Sequence, residues 1–598
     1  MDLFKKNLDI LAKYQPGLAR RIEKTPYPED LTLVKSKTGH LSPKIQNITL
    51  HSLYNPTEEA SRLIEKFNPT EKCLNTVYGL GFGYHILELL KRTKGEILVI
   101  EPFVPVFRAF LSHFEIDNFL PRVIFSIGES AAKITNQHSK NQWKILYHQP
   151  SVRLSKKYFN VLDQCLKTCR LLEQSRLKVM VINPIYGGSL PTALYCASAF
   201  KNLGHEVCSV NCEDFVDSFN AIKEMTKVKK NAQILSNRFF EMMSDIILSK
   251  AAEFKPDFIL AMAQAPLQPA TISRLKTLRV PVAFWFVEDF RTLTYWKEIV
   301  KSYDYFFTIQ RGDFFDELKK MGIRNYYYLP QACSPENHQP VKLLPDEIKK
   351  YSVDLSFMGA AYFNRQNVFP RLLDFDFKVW GTGWPLETPI STRLQNNNER
   401  VSTVDSVKIY NATKINLNLH SSTCHNEINP NGDFVNPRTF EIAACGGFQL
   451  VDERSELFEI FDVGLDIIKF KSIDELKKLI RYYLDHESDR KQIAENARAK
   501  VLEYHTFEIR LNEMLIFVFH DKQWEIENRI KNRSSQWQLL MDQAGSNTEL
   551  GKYIDCFKGE EKVLLKDLVK EIEQQDGKLS PNELLILMAD QVVKEAIH

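Results

Sequence analysis

Short apolar runs alternate with amphipathic stretches along most of this chain. The runs Leu74 to Tyr78, Ile97 to Ile100, Val179 to Asn183, Phe258 to Ala261, Val282 to Phe286, Tyr305 to Thr308 and Tyr326 to Leu329 are mainly apolar at consecutive positions, as strands buried on both faces of a parallel sheet require. Helical stretches separate them. Leu3 to Tyr14 is amphipathic and stops near Pro16-Gly17, and an irregular stretch comes next, through Pro26, Pro28 and Pro43. Over 57–67 a helix is expected with Thr57 as its cap, Glu58 and Glu59 at its positive end, and Ala60, Leu63, Ile64 and Phe67 on one face. A connecting helix is expected from Ser155 to Gln174, and another from Pro191 to Leu203, ending at Gly204.

The alternation restarts twice, at Val179 and again at Val353 to Gly359, after a polar linker containing Pro335, Pro340 and Pro345. The last unit continues through Phe377 to Trp384, a strand at Ile415, Leu417 and Leu419, and a helix from Phe440. The expected fold class is α/β: an N-terminal Rossmann-like accessory domain at 1–175, two Rossmann-like lobes at 176–338 and 339–525, and a helical extension at 526–598. In the extension, Leu564, Leu565, Leu568 and Ile572 have the spacing of a small helical bundle.

A chain of 598 residues is too long for one core. Its 78 basic and 75 acidic residues are interleaved, and a net charge of +3 gives no reason to invoke nucleic acid. The ten cysteines are scattered; Cys165/Cys169 and Cys208/Cys212 are not joined by further ligands at zinc-site spacing, so reduced thiols and no metal are expected. The N-terminus lacks the apolar core of a secretory signal, no run is long enough to span a bilayer, and a cytoplasmic location is the expectation.

Chemistry concentrates in Asn436-Pro437-Arg438-Thr439-Phe440-Glu441, which runs through Ile442, Ala443, Ala444 and Cys445 to Gly446-Gly447. An acid near the start of an apolar helix can accept both hydroxyls of a ribose. The helix N-terminus and Arg438 offer donors and positive field to a diphosphate, with Asn436 and Thr439 beside them. Arg365, just past Gly359, is a second candidate cation. Gly187 and Gly188 allow close approach to a ligand across the cleft, or serve only as turn residues. Glu288 and Asp289, after the strand in FWFVEDF (284–290), stand at a carboxyl end; either can act as a general base on an acceptor hydroxyl, or simply cap the next helical turn. Asp374-Phe375-Asp376 enters a strand and so lies away from the cleft. His338, His425 and His505 carry no assigned chemistry.

The run NPRTFEIAACGGFQLVDE (436–453), with YLPQACSPENH (328–338) and LSFMGAAYFNR (355–365), resembles the CgeB-like glycosyltransferases over roughly 176–525. It is also similar to the group-1 donor motif, two acids with seven residues between them, the second opening a helix; here Asp433 takes the first place and Glu441 the second. That resemblance implies a two-lobed GT-B enzyme, metal-independent and without a cofactor, using a nucleotide sugar as donor substrate. Arg438 and Arg365 would then stabilise the leaving diphosphate. Resemblance to the two-acid motif favours retention, whereas a base at Asp289 would suit inversion.

Near the N-terminus, Gly79, Gly81 and Gly83 form a turn between two strands, and Glu101 ends the second of them. These are the parts of a nucleoside site, or glycines that merely permit tight packing. Together with LHSLYNPTEEA (50–60), the turn resembles bacterial motility accessory factor proteins, which implies a protein acceptor such as flagellin or a cell-surface glycan. The turn is also similar to that of methyltransferases using S-adenosylmethionine. A methyltransferase run from this turn, and a non-enzymatic assembly protein, are therefore the rival readings.

Overall fold

Among the described residues, 18 strands form four sheets, and three of those sheets are parallel. The structure is a computed structural model that describes residues 2–528, 541, 544–545, 548–557, 565–574 and 577–597. They divide into two compact units: Met1–Leu166 with Arg176–Val518, and Lys167–Ser175 with Phe519–His598.

The first unit opens with helices Leu3–Leu11 and Pro16–Glu23 and an antiparallel ribbon, β1 (Thr32–Lys35), β2 (Leu41–Ile45) and β3 (Ile48–Thr49). The prolines of this region suggest irregular chain. Pro16 instead takes the first turn of a helix, where its missing N–H costs nothing, and Pro43 sits within β2 with its carbonyl accepting from Leu50 N at 2.9 Å. The helix Pro56–Phe67 is capped by Asn55 and not by Thr57; Asn55 Oδ1 accepts from Glu58 N at 3.2 Å, and Thr57 donates to that same oxygen at 2.7 Å. Proline at the first helical position moves the cap one residue outward from it.

The N-terminal parallel sheet comprises β4 (Leu74–Tyr78), β5 (Ile97–Glu101), β6 (Val123–Ile127) and β7 (Trp143–Tyr147), in the order β6-β5-β4-β7. The second has six strands: β8 (Lys178–Ile182), β9 (Glu206–Val210), β10 (Phe258–Met262), β11 (Val282–Phe286), β12 (Tyr305–Thr308) and β13 (Tyr326–Tyr328), ordered β13-β12-β11-β10-β8-β9. The third has β14 (Val353–Met358), β15 (Phe377–Trp380), β16 (Thr413–Asn418), β17 (Gln449–Asp452) and β18 (Ile468–Phe470), ordered β15-β14-β16-β17-β18. Strands β10 and β11 are buried at every position, which is why the sequence reads there as unbroken apolar runs.

In each parallel sheet the chain leaves its first strand to one side and later returns to the other. The switch points lie between β4 and β7, between β8 and β10, and between β14 and β16. Open α/β sheets take ligands in the crevice outside the carboxyl ends at such points. Two of these sheets in tandem make the GT-B framework, preceded by the additional Rossmann-like sheet. After the third sheet the chain returns through the helix Phe507–Phe519, where Arg510 Nε donates to Pro330 O at 3.1 Å and Tyr327 donates to Glu513 at 2.6 Å.

The second unit contains helices Glu549–Cys556, Leu565–Glu573 and Pro581–Ile597. Of the apolar stripe expected there, Ile572 is buried and Leu565 and Leu568 half-buried, while Leu564 lies outside the described residues. No helix among the described residues is long and apolar enough to cross a membrane.

Candidate functional site

The helix Pro437–Ala444 stands on a buried polar frame beyond the ends of β16 and β17. Asp452 accepts from both the backbone and Nδ1 of His420, at 2.8 and 2.7 Å, and pairs with Arg454. The Arg454 charge and the hydrogen bonds from His420 hold Asp452 far below the usual carboxylate range against the effect of burial. With Nδ1 donating to Asp452, His420 Nε2 is free to accept from Asn436 N at 2.9 Å. Burial lowers the pKa of His420 to about 4 and keeps it neutral for that task.

Asn436 caps the helix, its Oδ1 accepting from Thr439 N at 3.2 Å and its Nδ2 donating to Asn418 at 2.8 Å. Thr439 is fully buried and accepts from Asn418 Nδ2 at 2.9 Å. Both residues, expected beside the donor, therefore spend their polar atoms on the frame. The frame presents the opposite stripe of the helix, Arg438 and Glu441, each half-buried and one turn apart.

Arg438 makes no ion pair or hydrogen bond through its guanidinium among the described residues, and its Nε is buried without a partner. Arg365 is 1% exposed and donates to Leu419 O at 3.1 and 2.8 Å and to Ala360 O at 2.8 Å, again with no carboxylate hydrogen-bonded to it among the described residues. It ties the loop after β14, which begins at Gly359, to the loop after β16. Burial and then the neighbouring Arg438 push its pKa well down. Two unneutralised cations at a switch point form a site that an anion would stabilise.

Glu441 accepts from Tyr410 at 3.3 Å. Its charge, after burial, raises the pKa of Tyr195, which comes from helix Leu190–Asn202 of the preceding lobe. Tyr195 also packs edge-on against His338 at 5.0 Å and bonds Thr403 at 3.0 Å. Glu441 thus sits where the two lobes meet.

On the opposite wall, the turn after β8 holds Gly187 at φ +110, with Gln264 Oε1 so close that a Cβ there would collide with it. Arg400 of the C-terminal lobe donates to Gly187 O at 2.7 Å, whereas Gly188 faces open space. Gln264 donates to Glu288 at 2.6 Å and Tyr295 donates to it at 3.0 Å. Burial outweighs these bonds and lifts the Glu288 pKa to about 7. Asp289, in contrast, accepts from Arg291 N, Thr292 Oγ1 and Gln310 Nε2 at 3.1, 3.1 and 3.3 Å, as a cap does.

Asp433 bridges the lobes, pairing with Arg291 at 3.0 Å and accepting from Gln310 Nε2 at 3.0 Å. It shares no partner with Glu441. The spacing that suggests an acid pair therefore delivers one acid to the Arg438 stripe and the other to an interlobe clamp. Asp374 and Asp376 precede β15 and lie at its entering end.

The N-terminal glycine turn is filled by the protein itself. Cβ atoms at Gly79 and Gly81 would collide with Ser151 and His51, and one at Gly83 would fall 2.9 Å from Phe119 Cζ. Glu101 is 1% exposed and accepts from Leu80 N and Phe103 N, both at 3.0 Å. Those glycines serve close packing, and the carboxylate is turned onto its own backbone. Reading from sequence missed Tyr195, Tyr410, Arg400 and the His420–Asp452–Arg454 frame, since each acquires meaning only from partners far along the chain.

Residues 365–516 match a family described as glycosyl transferase-like. Over 261 residues the chain is 29% identical to the spore protein CgeB of Bacillus subtilis (strain 168), covering 41% of this chain and 78% of that protein. Among solved structures it is similar to a glycosyltransferase from Rickettsia africae ESF-5, at 14% identity over 58% of this chain and 99% of that one, with a TM-score of 0.40. It is also similar to HepE from Anabaena in complex with UDP and glucose, at 11% identity over 58% of this chain and 100% of that one, with a TM-score of 0.39.

Proposed function

We propose, from the match of residues 365–516 to a glycosyl transferase-like family and the similarity to CgeB, that the protein moves a sugar from a nucleotide-sugar donor to an acceptor hydroxyl in the cleft between its second and third sheets. The observation that carries this is Arg438: a guanidinium without a carboxylate, beside a second such cation in Arg365 and one turn from Glu441. A nucleoside diphosphate supplies the charge that the group lacks. Its phosphates would meet Arg438 and the adjoining loop, its ribose Glu441, and the sugar would face Gly187, Gly188 and Glu288. Growing charge on the leaving diphosphate needs fixed donors of this kind. The acceptor in this reading is a protein such as flagellin, or a cell-surface glycan, engaged in part by the N-terminal region.

A thermal-shift panel tests the proposal. One nucleoside diphosphate sugar is expected to raise the melting temperature while S-adenosylmethionine leaves it unchanged, because only a ligand of the native state stabilises it and the N-terminal turn is filled. A shift with S-adenosylmethionine and none with any nucleotide sugar would replace this reading by the methyltransferase.

In this reading Arg438, with the buried Arg365 behind it, supplies the positive charge for the diphosphate, so transfer is expected to run without a metal. Initial rates in excess EDTA should equal those in buffer, measured well below the melting transition. A rate lost to EDTA and regained with manganese or magnesium would require a different account of the leaving group.

A further inference from the structure

Three histidines from separate segments meet at the switch point of the N-terminal sheet. His51 lies just past β3, His85 stands in the first turn of the helix Tyr84–Arg92 after the β4 glycine turn, and His148 lies just past β7, the neighbour of β4. They are 5%, 1% and 4% exposed. One ring nitrogen from each lies within 4.8 Å of the others. The His85 and His148 rings stack at 4.4 Å, and His51 is 4.8 Å from His148.

One ring is oriented from outside: His85 Nε2 donates to Gly79 O at 3.0 Å, while His148 lies near the Leu50 backbone and His51 Nδ1 is 4.0 Å from a carboxylate oxygen of Glu59, too far for a hydrogen bond. An outer carbonyl partner fixes the His85 tautomer and leaves its second nitrogen with a lone pair. Among the described residues, His85 Nδ1 is buried with no hydrogen-bond partner. His51 Nε2 accepts from Phe82 N at 2.8 Å, and His148 Nδ1 meets the Ser151 hydroxyl at 2.8 Å. An orphaned nitrogen in a dry interior is costly unless something binds it.

The geometry points to a metal site: His51, His85 and His148 together hold one first-row divalent transition ion of the zinc class. Imidazole donors suit zinc, copper, nickel and cobalt, whereas magnesium and calcium want oxygen. At a Zn–N distance of about 2.1 Å the three nitrogens would stand roughly 3.4 Å apart, so ring rotations must close the present spacing. Ligation costs His51 its bond from Phe82 N and His148 its bond from Ser151, whose hydroxyl is free to rotate toward another acceptor. The ion would tie together three chain segments at the place where sheets of this kind take ligands. Sequence spacing concealed the cluster because its members lie in different elements.

The test uses the full-length chain and does not depend on sugar transfer. Protein stripped with chelator is titrated with zinc chloride by calorimetry and with cobalt(II) followed by visible absorption. Binding of one ion per chain, a raised melting temperature and the visible bands of low-coordinate cobalt are expected. His85→Ala should lose the binding. A Cys424→Ser, His425→Ala control should keep it, since that exposed pair, 3.3 Å apart, is the alternative place for an ion. Retained binding in His85→Ala, or lost binding in the control, would overturn the site. Should His85→Ala fail to fold, X-ray absorption at the zinc edge of the wild-type protein decides: imidazole nitrogens are expected, and sulfur ligation or no retained zinc refutes the assignment.

Discussion

Arg438→Ala is expected to lower kcat/KM for the nucleotide-sugar donor by about 10²-fold, the order of loss seen when one preorganised donor to a developing oxyanion is removed. The variant should nevertheless melt at the parental temperature or slightly above it. The guanidinium makes no bond that its loss would break, and its charge opposes that of the buried Arg365. Most substitutions that abolish activity by damaging the fold do the reverse. Glu441→Gln gives the companion result. A carboxylate accepting ribose hydroxyls is worth about 1.5–3 kcal/mol, so weaker donor binding of roughly 10- to 100-fold is expected, again with the fold intact because Tyr410 can still donate to the amide oxygen. Donor hydrolysis, donor affinity and melting temperature measured on the same preparations separate these outcomes. Parental turnover in either folded variant would remove the donor site from this helix.

Those two residues were legible in the sequence because the relevant relation is local: position 438 and position 441 share a helix face whatever the rest of the chain does. The parallel sheets were legible for a similar reason, since strands buried on both sides leave uninterrupted apolar runs. The ribbon β1–β3 was not, as Pro43 and the prolines just before the ribbon mimic irregular chain and β1 buries none of its residues fully. Asp433 shows the limit of spacing. It stands at the interval expected of an acid pair, yet Arg291, distant in sequence, takes it into an interlobe clamp. The N-terminal glycines had the same ambiguity, which only the atoms pressed against them, from His51, Ser151 and Phe119, resolve. Asn436 and Thr439, expected beside a donor, instead point back into the frame they stabilise, as a cap and its partner do.

Glu288 carries the second large effect, through its protonation. Its side chain is held by Gln264 and Tyr295 on the wall formed by the second sheet, and burial lifts its pKa to about 7. A base must be ionised to take a proton from an acceptor hydroxyl, so kcat/KM should rise with pH along a limb centred near 7 and level off above it. Glu288→Gln should abolish that limb and reduce kcat by roughly 10²- to 10⁴-fold, the range for a positioned general base. Asp289→Asn, altering a carboxylate already engaged by Arg291 N, Thr292 and Gln310, should retain the limb. Stability supplies an independent reading with a definite sign. A buried carboxyl whose folded pKa lies above its unfolded value of about 4.3 binds its proton more tightly in the native state, so native stability falls as pH rises from about 4.3 to 7. The Gln variant lacks this dependence. Its stability relative to the parent should therefore increase across that window and hold constant above it, as denaturant melts at several pH values would show. A pH limb that survives Glu288→Gln would assign the proton transfer to another group and leave Glu288 only as a partner of Gln264 and Tyr295.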